Sequence, residues 1–597
     1  MDNKGNNRND INSPLSMPEG TILSETLLHI FKYSKLNQVY SESKDKDPVK
    51  LINSLFEILD LKIDLPQKDL ENIPLSGPFL IVANHPFKGI DSMLLFRMIN
   101  QKRPDFKIMA NYLLGDVEPF KDIIIPVNTY ESNRSGKSSY KGVMSGIRHL
   151  REGHCLGMFP AAEDSKHWES GKILLDREWQ PAALKFIRLA NVPVIPVYFH
   201  GTKSRIAHII RRVNPLLPDS ELPRELMNKK KRTVRIRIGT PVTLKEQGDF
   251  DNIAEFGRYL RARVYSLGSA IESRKTGNRR FIRRKGKAEP IVEAQPSDLM
   301  LAEFERIRSD YELFTTKNYS VVCAPAEIMP RIFREIGRLR ELTFRDVGEG
   351  TNKSIDIDEY DFYYYHLFIW DTEENRIAGA YRIGKGKEII EIYGVKGFYI
   401  NSLFRIKKSF TPFLSESLEL GRSFVTKDYQ KKAFPLFLLW KGIMVFLLRH
   451  SEYRYLMGPV SISNDLSGFS KGLIVDFIRS YFFDTSLSKF VVPKKDFVVK
   501  QDRAIDQRVI IDTSEKDINR IEKIIIDIEP GYRLPILLKK YLGINGKIVG
   551  FNIDPKFNNC LDGLLILDLY SIPHEFLRGL AREMNDKSIL KRFNLEE

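Results

Sequence analysis

The sequence predicts an α/β fold in two domains, on three observations. Short apolar runs alternate with stretches of helical periodicity. The chain has 597 residues, more than the roughly 100–200 of a single domain. A basic segment, RKTGNRRFIRRKGK at 274–287, then interrupts the alternation with eight basic residues in fourteen. Such a run suits a solvated linker and equally a polybasic patch held on anionic lipid. The expected organisation is a disordered tail at 1–20, a first domain at 21–267, a basic linker at 268–300 and a second domain at 301–597.

Residues 21–75 are expected to be mostly helical, from the apolar spacing in LLHIFKY and LINSLFEIL. FLIVAN, FKIMAN, DIIIPV, HCLGMFP and VPVIPVYFH follow as strands, with SSYKGVMSGIRHLREG and PAALKFIRLAN as helices between them. Strands joined by helices imply a largely parallel sheet. In the second domain FREIGRLRELTF is helical, while HLFIWD, RIAGAYRIG and GRSFV are strands. FPLFLLWKGIMVFLLRH fits either a buried core helix or a surface that dips into a membrane. GKIVGFNIDPKF and DGLLILDLYSI return to strand, and the two halves show no internal repeat.

Composition narrows the function. Apolar residues make up 42% and charged residues 28%, enough for sizeable cores. The net charge of +16 points to an anionic partner: nucleic acid, an acidic carrier protein or an anionic membrane surface. Zinc-like cysteine spacing is absent, and neither GxGxxG nor P-loop spacing occurs, so nucleic acid and nucleotide chemistry are not expected. Cys155, Cys323 and Cys560 lie far apart and make neither a disulfide framework nor a metal cluster, which suits a reducing cytoplasm. The N-terminus lacks the apolar core of a signal peptide, and no window reaches about 18 uninterrupted apolar residues. The expected location is therefore cytoplasmic, peripheral on the inner face of the membrane, with no membrane span.

The stretch IVANHPFKGID, 81–91, is an apolar run that ends in Asn84, His85 and Pro86, with Asp91 six positions after the histidine. A strand feeding into His-Pro places the histidine at the rim of a sheet. A histidine with a carboxylate in reach makes a general base near neutral pH. The same residues would also suit a helix start, with Asp91 as an early-turn acid.

NHPFKGID resembles the catalytic motif of the glycerophosphate/lysophosphatidate acyltransferase family, in a variant with five residues between His and Asp. GMFPAAEDSK (157–166) resembles the family's FPEG-type block, through Phe159, Pro160 and Glu163. VPVIPVYFHG (192–201) resembles its late block, and IPVNTYESNRSGK (125–137) stands where the family carries an arginine, here Arg134. The resemblance covers about 75–245 and implies an α/β acyltransferase fold with a mostly parallel sheet. His85 would take a hydroxyl proton as the oxygen attacks a thioester carbonyl, and Asp91 would hold the imidazole tautomer. Asn84, Arg134, Phe159, Pro160 and Glu163 would position the acceptor lipid.

The second half is similar to the GNAT-like acyltransferases once filed as hemolysins. These include N-acyltransferases of lyso-ornithine and lyso-glycine lipids, and acyl-homoserine-lactone synthases are more distant. DEYDFYYYHLFIWD (358–371), RIAGAYRIG (376–384), SESLELGRSFV (415–425) and LLWKGIMVFLLRHSEYRYLMGPVSIS (438–463) carry the likeness, over about 317–575. It implies a GNAT-like α/β fold in which Glu419, partnered by Asp361, serves an attacking amine. Arg422 would grip a carboxylate or phosphate, and His366 offers a second base. ELGR would equally suit an internal ion pair.

The two resemblances together imply a bifunctional acyltransferase of aminolipid synthesis. Its second domain would N-acylate ornithine or glycine with a 3-hydroxyacyl group, and its first would O-acylate the lyso-aminolipid formed. The donor is expected to be an acyl carrier protein or CoA thioester, with no bound cofactor and no metal. Two alternatives stay open: a glycerophospholipid acyltransferase with a regulatory GNAT-like domain, and a membrane-binding hemolysin-like protein.

Overall fold

The computed structural model describes residues 47–59, 61–86, 90–111, 120–127, 136–161, 168–170, 173–176, 178–200, 233–269, 271, 288–499, 505–584 and 588–595. Arg134, Glu163 and the basic run 274–287 lie outside them. The chain divides into two compact units, Met1–Gly277 with Gln501–Tyr532, and Asn278–Lys500 with Arg533–Glu597. Residues 501–532, read from sequence as part of the second domain, thus belong by their contacts to the first unit.

The first unit is built on β1 (Lys62–Asp64), β2 (Phe79–Ala83), β3 (Lys107–Asn111), β4 (Ile124–Val127), β5 (Cys155–Met158), the hairpin β6 (Trp168–Ser170) and β7 (Ile173–Leu175), β8 (Val194–Phe199) and β9 (Thr233–Ile238). Seven of these form one sheet in the order β1-β9-β8-β2-β5-β3-β4. Every neighbouring pair is parallel except β8–β9. The continuous apolar runs FLIVA and VIPVYF are buried along their whole length, as strands covered on both faces must be. The longer helices that accompany the sheet include α1 (Pro48–Leu59), α2 (Ile90–Asn100), α3 (Gly136–Arg151), α4 (Pro181–Ala190) and α5 (Ile253–Ser266). Gly142 lets α3 lie directly on β4, since a Cβ there would collide with the Pro126 carbonyl oxygen.

The returning segment carries the helices Gln507–Asp512 and Ile518–Ile528. Ile521, Ile524, Ile525 and Ile528 recur at helical spacing and are buried. Buried charges fix the segment. Asp527 accepts from Arg263 Nη2 at 2.8 Å and from the Thr240 backbone N–H at 2.9 Å. Its backbone carbonyl accepts from Arg237 Nη2 at 2.6 Å.

The second unit has strands β10 (Glu312–Thr316), β11 (Tyr319–Pro325), β12 (Tyr365–Asp371), β13 (Arg376–Lys385), β14 (Phe404–Ile406), β15 (Ser417–Val425), β16 (Tyr455–Ile462), β17 (Val491–Pro493), β18 (Lys547–Asp554) and β19 (Cys560–Asp568). Eight of them form a sheet in the order β10-β11-β12-β13-β15-β16-β19-β18. It is antiparallel throughout except for β15 and β16, which run parallel and pair only over Ser417–Glu419 and Tyr455–Met457. Beyond that short ladder the two strands part. Helices α6 (Ser297–Tyr311), α7 (Pro330–Asp346) and α8 (Ala433–Arg449) pack on the sheet. Of the two readings of α8, the buried one holds: Leu438, Leu439, Ile443, Met444 and Leu447 are fully covered. Among the described residues no helix is long and apolar enough to cross a membrane.

Candidate active sites

In the first unit, His85 stands just past the carboxyl end of β2, the central strand, where parallel sheets expose their ligand sites. Asp91 sits in the first turn of α2, and its Oδ1 lies 2.9 Å from His85 Nδ1. The histidine side chain is 11% exposed and the aspartate 0%. The five intervening residues therefore do not separate the pair. Phe159, just past β5, packs its ring 4.5 Å from the imidazole. Pro160 follows it, buried, with its carbonyl accepting from the Gln180 N–H at 3.1 Å.

Asn84 is better explained by the fold than by substrate. Its Nδ2 donates to the Phe199 carbonyl at 2.9 Å and its Oδ1 accepts from the Phe199 N–H at 2.7 Å. Both ends of the amide tie β2 to β8, and the residue is 1% exposed. Asn84 thus fixes where His85 begins.

A second carboxylate, absent from the sequence reading, also holds His85. Asp176, directly after β7, accepts the His85 backbone N–H at 3.1 Å through Oδ2. Burial pushes its carboxyl up to about 6, against the pull of the adjacent His85. Helix α5 anchors it twice: Tyr265 Oη accepts the Asp176 N–H at 2.8 Å, and Arg261 Nη2 donates to its carbonyl at 2.8 Å.

In the second unit the parting of β15 and β16 opens a cavity of about 370 Å³, lined on one side by Gly421, Arg422 and Ser423 and on the other by Pro459, Val460 and Ser461. Arg422 adopts φ +53°, beside a register shift in the β13–β15 ladder. Such a bulge re-aims a side chain and is concentrated at functional sites.

From the cavity wall, where Arg382 and Arg422 stand, inward to Arg340, three guanidinium groups alternate with three carboxylates. Arg340 donates to Asp356 Oδ2 at 2.9 Å and to both oxygens of Asp361 at 3.0 and 2.7 Å. Arg382 reaches Asp358 at 2.6 Å and Asp361 at 3.1 Å, and Arg422 reaches Asp358 at 3.1 Å. Burial would raise the Asp361 carboxyl, but Arg340 and Arg382 hold it well below the usual carboxylate range. Arg422 also lies 4.5 Å over the Phe557 ring.

The pairing of Glu419 with Asp361 is corrected by these contacts. Glu419 is 1% exposed and accepts from the Tyr364 hydroxyl, the Tyr399 N–H at 2.9 Å and the Ile400 N–H at 2.7 Å. It thereby fixes the short helix Ile400–Leu403 and Tyr399, which lines the cavity. Burial raises its carboxyl, opposed by these donors. His366 is buried, donates through Nε2 to the Asp361 carbonyl at 2.9 Å, and is pushed by burial down to about 4. Of the second-unit residues singled out from sequence, Arg422 lines the cavity, whereas Glu419, Asp361 and His366 stand behind it.

Comparison with known proteins agrees with these two architectures. Residues 27–274 match the family model described as Acyltransferase, and residues 339–440 match that of the Acetyltransferase (GNAT) domain. The chain is similar to a glycine N(alpha)-acyltransferase of Phocaeicola vulgatus, 29% identical over 257 residues that are 41% of this chain and 76% of that protein. It is also similar to a lyso-glycine lipid O-acyltransferase of Bacteroides thetaiotaomicron, 25% identical over 248 residues, 40% of this chain and 88% of that protein. A solved 1-acyl-sn-glycerophosphate acyltransferase from Thermotoga maritima is 18% identical, covering 40% of this chain and 88% of its own, with a TM-score of 0.25, too low to argue from. The chain is an acyltransferase in which an N-terminal acyltransferase domain and a C-terminal GNAT domain share one polypeptide.

Proposed function

We propose that this chain is a bifunctional acyltransferase that makes a diacylated aminolipid. The second unit joins a 3-hydroxyacyl group, delivered as a carrier-protein or CoA thioester, to the amine of a small amino acid. The first unit then acylates the hydroxyl of that chain. The order follows from chemistry, because the hydroxyl acceptor exists only after the first acylation. Carrying both activities on one chain raises the effective concentration of a poorly soluble intermediate. The net charge of +16 suits an acidic carrier protein and an anionic lipid surface alike.

The observation that carries the reading is the His85–Asp91 contact of 2.9 Å, occurring in a chain that also has a GNAT domain. In the first step of O-acylation His85 Nε2 would accept the hydroxyl proton while Asp91 stabilises the imidazolium that results. Asp176 positions the histidine through its backbone. In the second unit Arg422 would hold the amino acid's carboxylate, while Glu419 positions Tyr399, Asp361 positions Arg382 and Asp358 positions Arg422. The relatives bear on the head group, since both are named for glycine or a glycine lipid.

The test is lipid extraction and mass spectrometry from a host that makes no aminolipid, expressing this chain. A new diacylated aminolipid is expected, and its mass names the amino acid. Soluble protein with no such lipid, in a host supplying hydroxyacyl thioesters, would contradict the reading and favour glycerophospholipid acylation.

A further inference from the structure

The cavity of the second unit has a charge balance that the arginine cluster leaves unexplained. Arg340, Arg382 and Arg422 are matched one for one by Asp356, Asp358 and Asp361. Three more carboxylates, Glu349, Asp554 and Asp562, line the same cavity. Asp554 ends β18 and is 2% exposed. Its Oδ1 accepts the Lys556 N–H at 2.8 Å, whereas its Oδ2 is buried with no hydrogen-bond partner among the described residues. Asp562, on the adjacent β19, is 3% exposed and accepts from Ser461 Oγ at 2.7 Å and Cys560 Sγ at 3.5 Å, both through Oδ1.

A buried carboxylate oxygen with no partner is costly, on the order of 1–3 kcal/mol or more. Its persistence at a cavity wall, with two further acids beside it, indicates that a cationic donor completes the site. We propose that Asp554 and Asp562 form an ammonium-binding pole in the cavity that Arg422 also lines, and that Asp562 takes the proton that frees the acceptor amine. The ligand class is a primary ammonium carried on a small molecule whose carboxylate Arg422 can hold.

Electrostatics suit the base role. Burial raises the Asp562 carboxyl to about 7, Ser461 opposes the rise, and the neighbouring Asp554 and Glu349 add to it. A carboxylate poised there receives a proton far more readily than an ordinary one, whose pKa is about 4. The step balances. An ammonium N–H proton passes to the Asp562 carboxylate, and the freed lone pair forms the N–C bond at the thioester carbonyl. The C–S bond breaks, the second N–H proton ends on the leaving thiolate, and Asp562 returns its proton to solvent. The base role rests on the N-acylation proposed above, and the ammonium pole does not.

Two measurements on the full chain keep them apart. Calorimetric titration with propylammonium, without any thioester, should show binding to the wild type and at least tenfold weaker binding to Asp554→Asn and Asp562→Asn. Equal binding by wild type and variants, or none by the wild type, would overturn the pole. In N-acylation assays with glycine and with ornithine, Asp554→Asn should raise KM for the amine at least tenfold and leave KM for the thioester unchanged. Asp562→Asn should lower kcat about 100-fold at pH 7 and remove the ionisation near 7 from the pH profile. Part of the rate should return at high pH, where the amine is neutral by itself. An unaltered profile would overturn the base assignment. O-acylation of a supplied monoacyl lipid should stay at the wild-type rate in both variants, which separates a specific loss from misfolding. Propylammonium binding by a wild type that N-acylates no amine would retain the pole and remove the proposed function instead.

Discussion

At the scale of single residues, the two units use histidines in opposite ways. Asp91 is fully buried against a histidine that retains an exposed edge, an arrangement suited to fixing a tautomer and stabilising its charged form. Asp91→Asn is therefore expected to slow O-acylation by about 10²–10⁴-fold without abolishing the monoacyl product, as quantified by product ratios in a two-step assay. His366 behaves differently. Its imidazole is buried and held neutral, with burial carrying it from 6.5 down to about 4. The unfolded chain therefore binds a proton on this residue at higher pH than the folded chain does. Stability from this group is complete above pH 6.5 and declines as pH falls from 6.5 toward 4, by up to about 3 kcal/mol. His366→Gln should flatten that part of the curve of thermal midpoint against pH. An unchanged curve would mean that the histidine is accessible and charged in the folded state.

At the scale of elements, legibility followed how local each signal is. Buried parallel strands announce themselves as unbroken apolar runs, so FLIVA and VIPVYF read directly as strands, and NHPFKGID carries His85 and Asp91 within one loop and one helix turn. Asp176 had no such signal. It follows the short run ILL, and its place beside His85 depends on contacts with α5 some 85–89 residues later. Asn84 had a motif, but only its pairing with Phe199, 115 residues away, shows that the amide is spent on backbone. The segment 501–532 was equally unreadable, because nothing in its amphipathic helix says which core it joins. Its anchor is Asp527, facing an Arg263 that is 1% exposed. Asp527→Ala would remove the nearest carboxylate from that buried guanidinium and leave it Glu246 at 3.9 Å with Tyr259 and Thr240, so a loss of about 1.5–3 kcal/mol is expected from denaturant unfolding of the full chain. A loss below about 1 kcal/mol would mean that the remaining partners satisfy Arg263, and that the segment is held by its isoleucines and its other polar contacts.

At the scale of the whole molecule, charge and domain content carry the account. The chain has 93 basic against 77 acidic residues, and the ion pairs of the second unit's arginine cluster are internally matched. The excess positive charge is thus available for an acidic donor. Raising ionic strength from about 0.05 to 0.5 M shortens the Debye length severalfold. It should raise KM for an acyl carrier protein thioester markedly while leaving KM for a small neutral thioester analogue nearly constant, and equal responses would remove the carrier protein as preferred donor. The central claim is that two acyl transfers occur in sequence on one chain, the second at His85. The most direct test compares lipid extracts from an aminolipid-free host expressing the wild type or His85→Ala. The account predicts a diacylated aminolipid from the wild type and accumulation of the monoacylated, hydroxyl-bearing lipid from the variant. A normal amount of diacyl lipid from His85→Ala would contradict it.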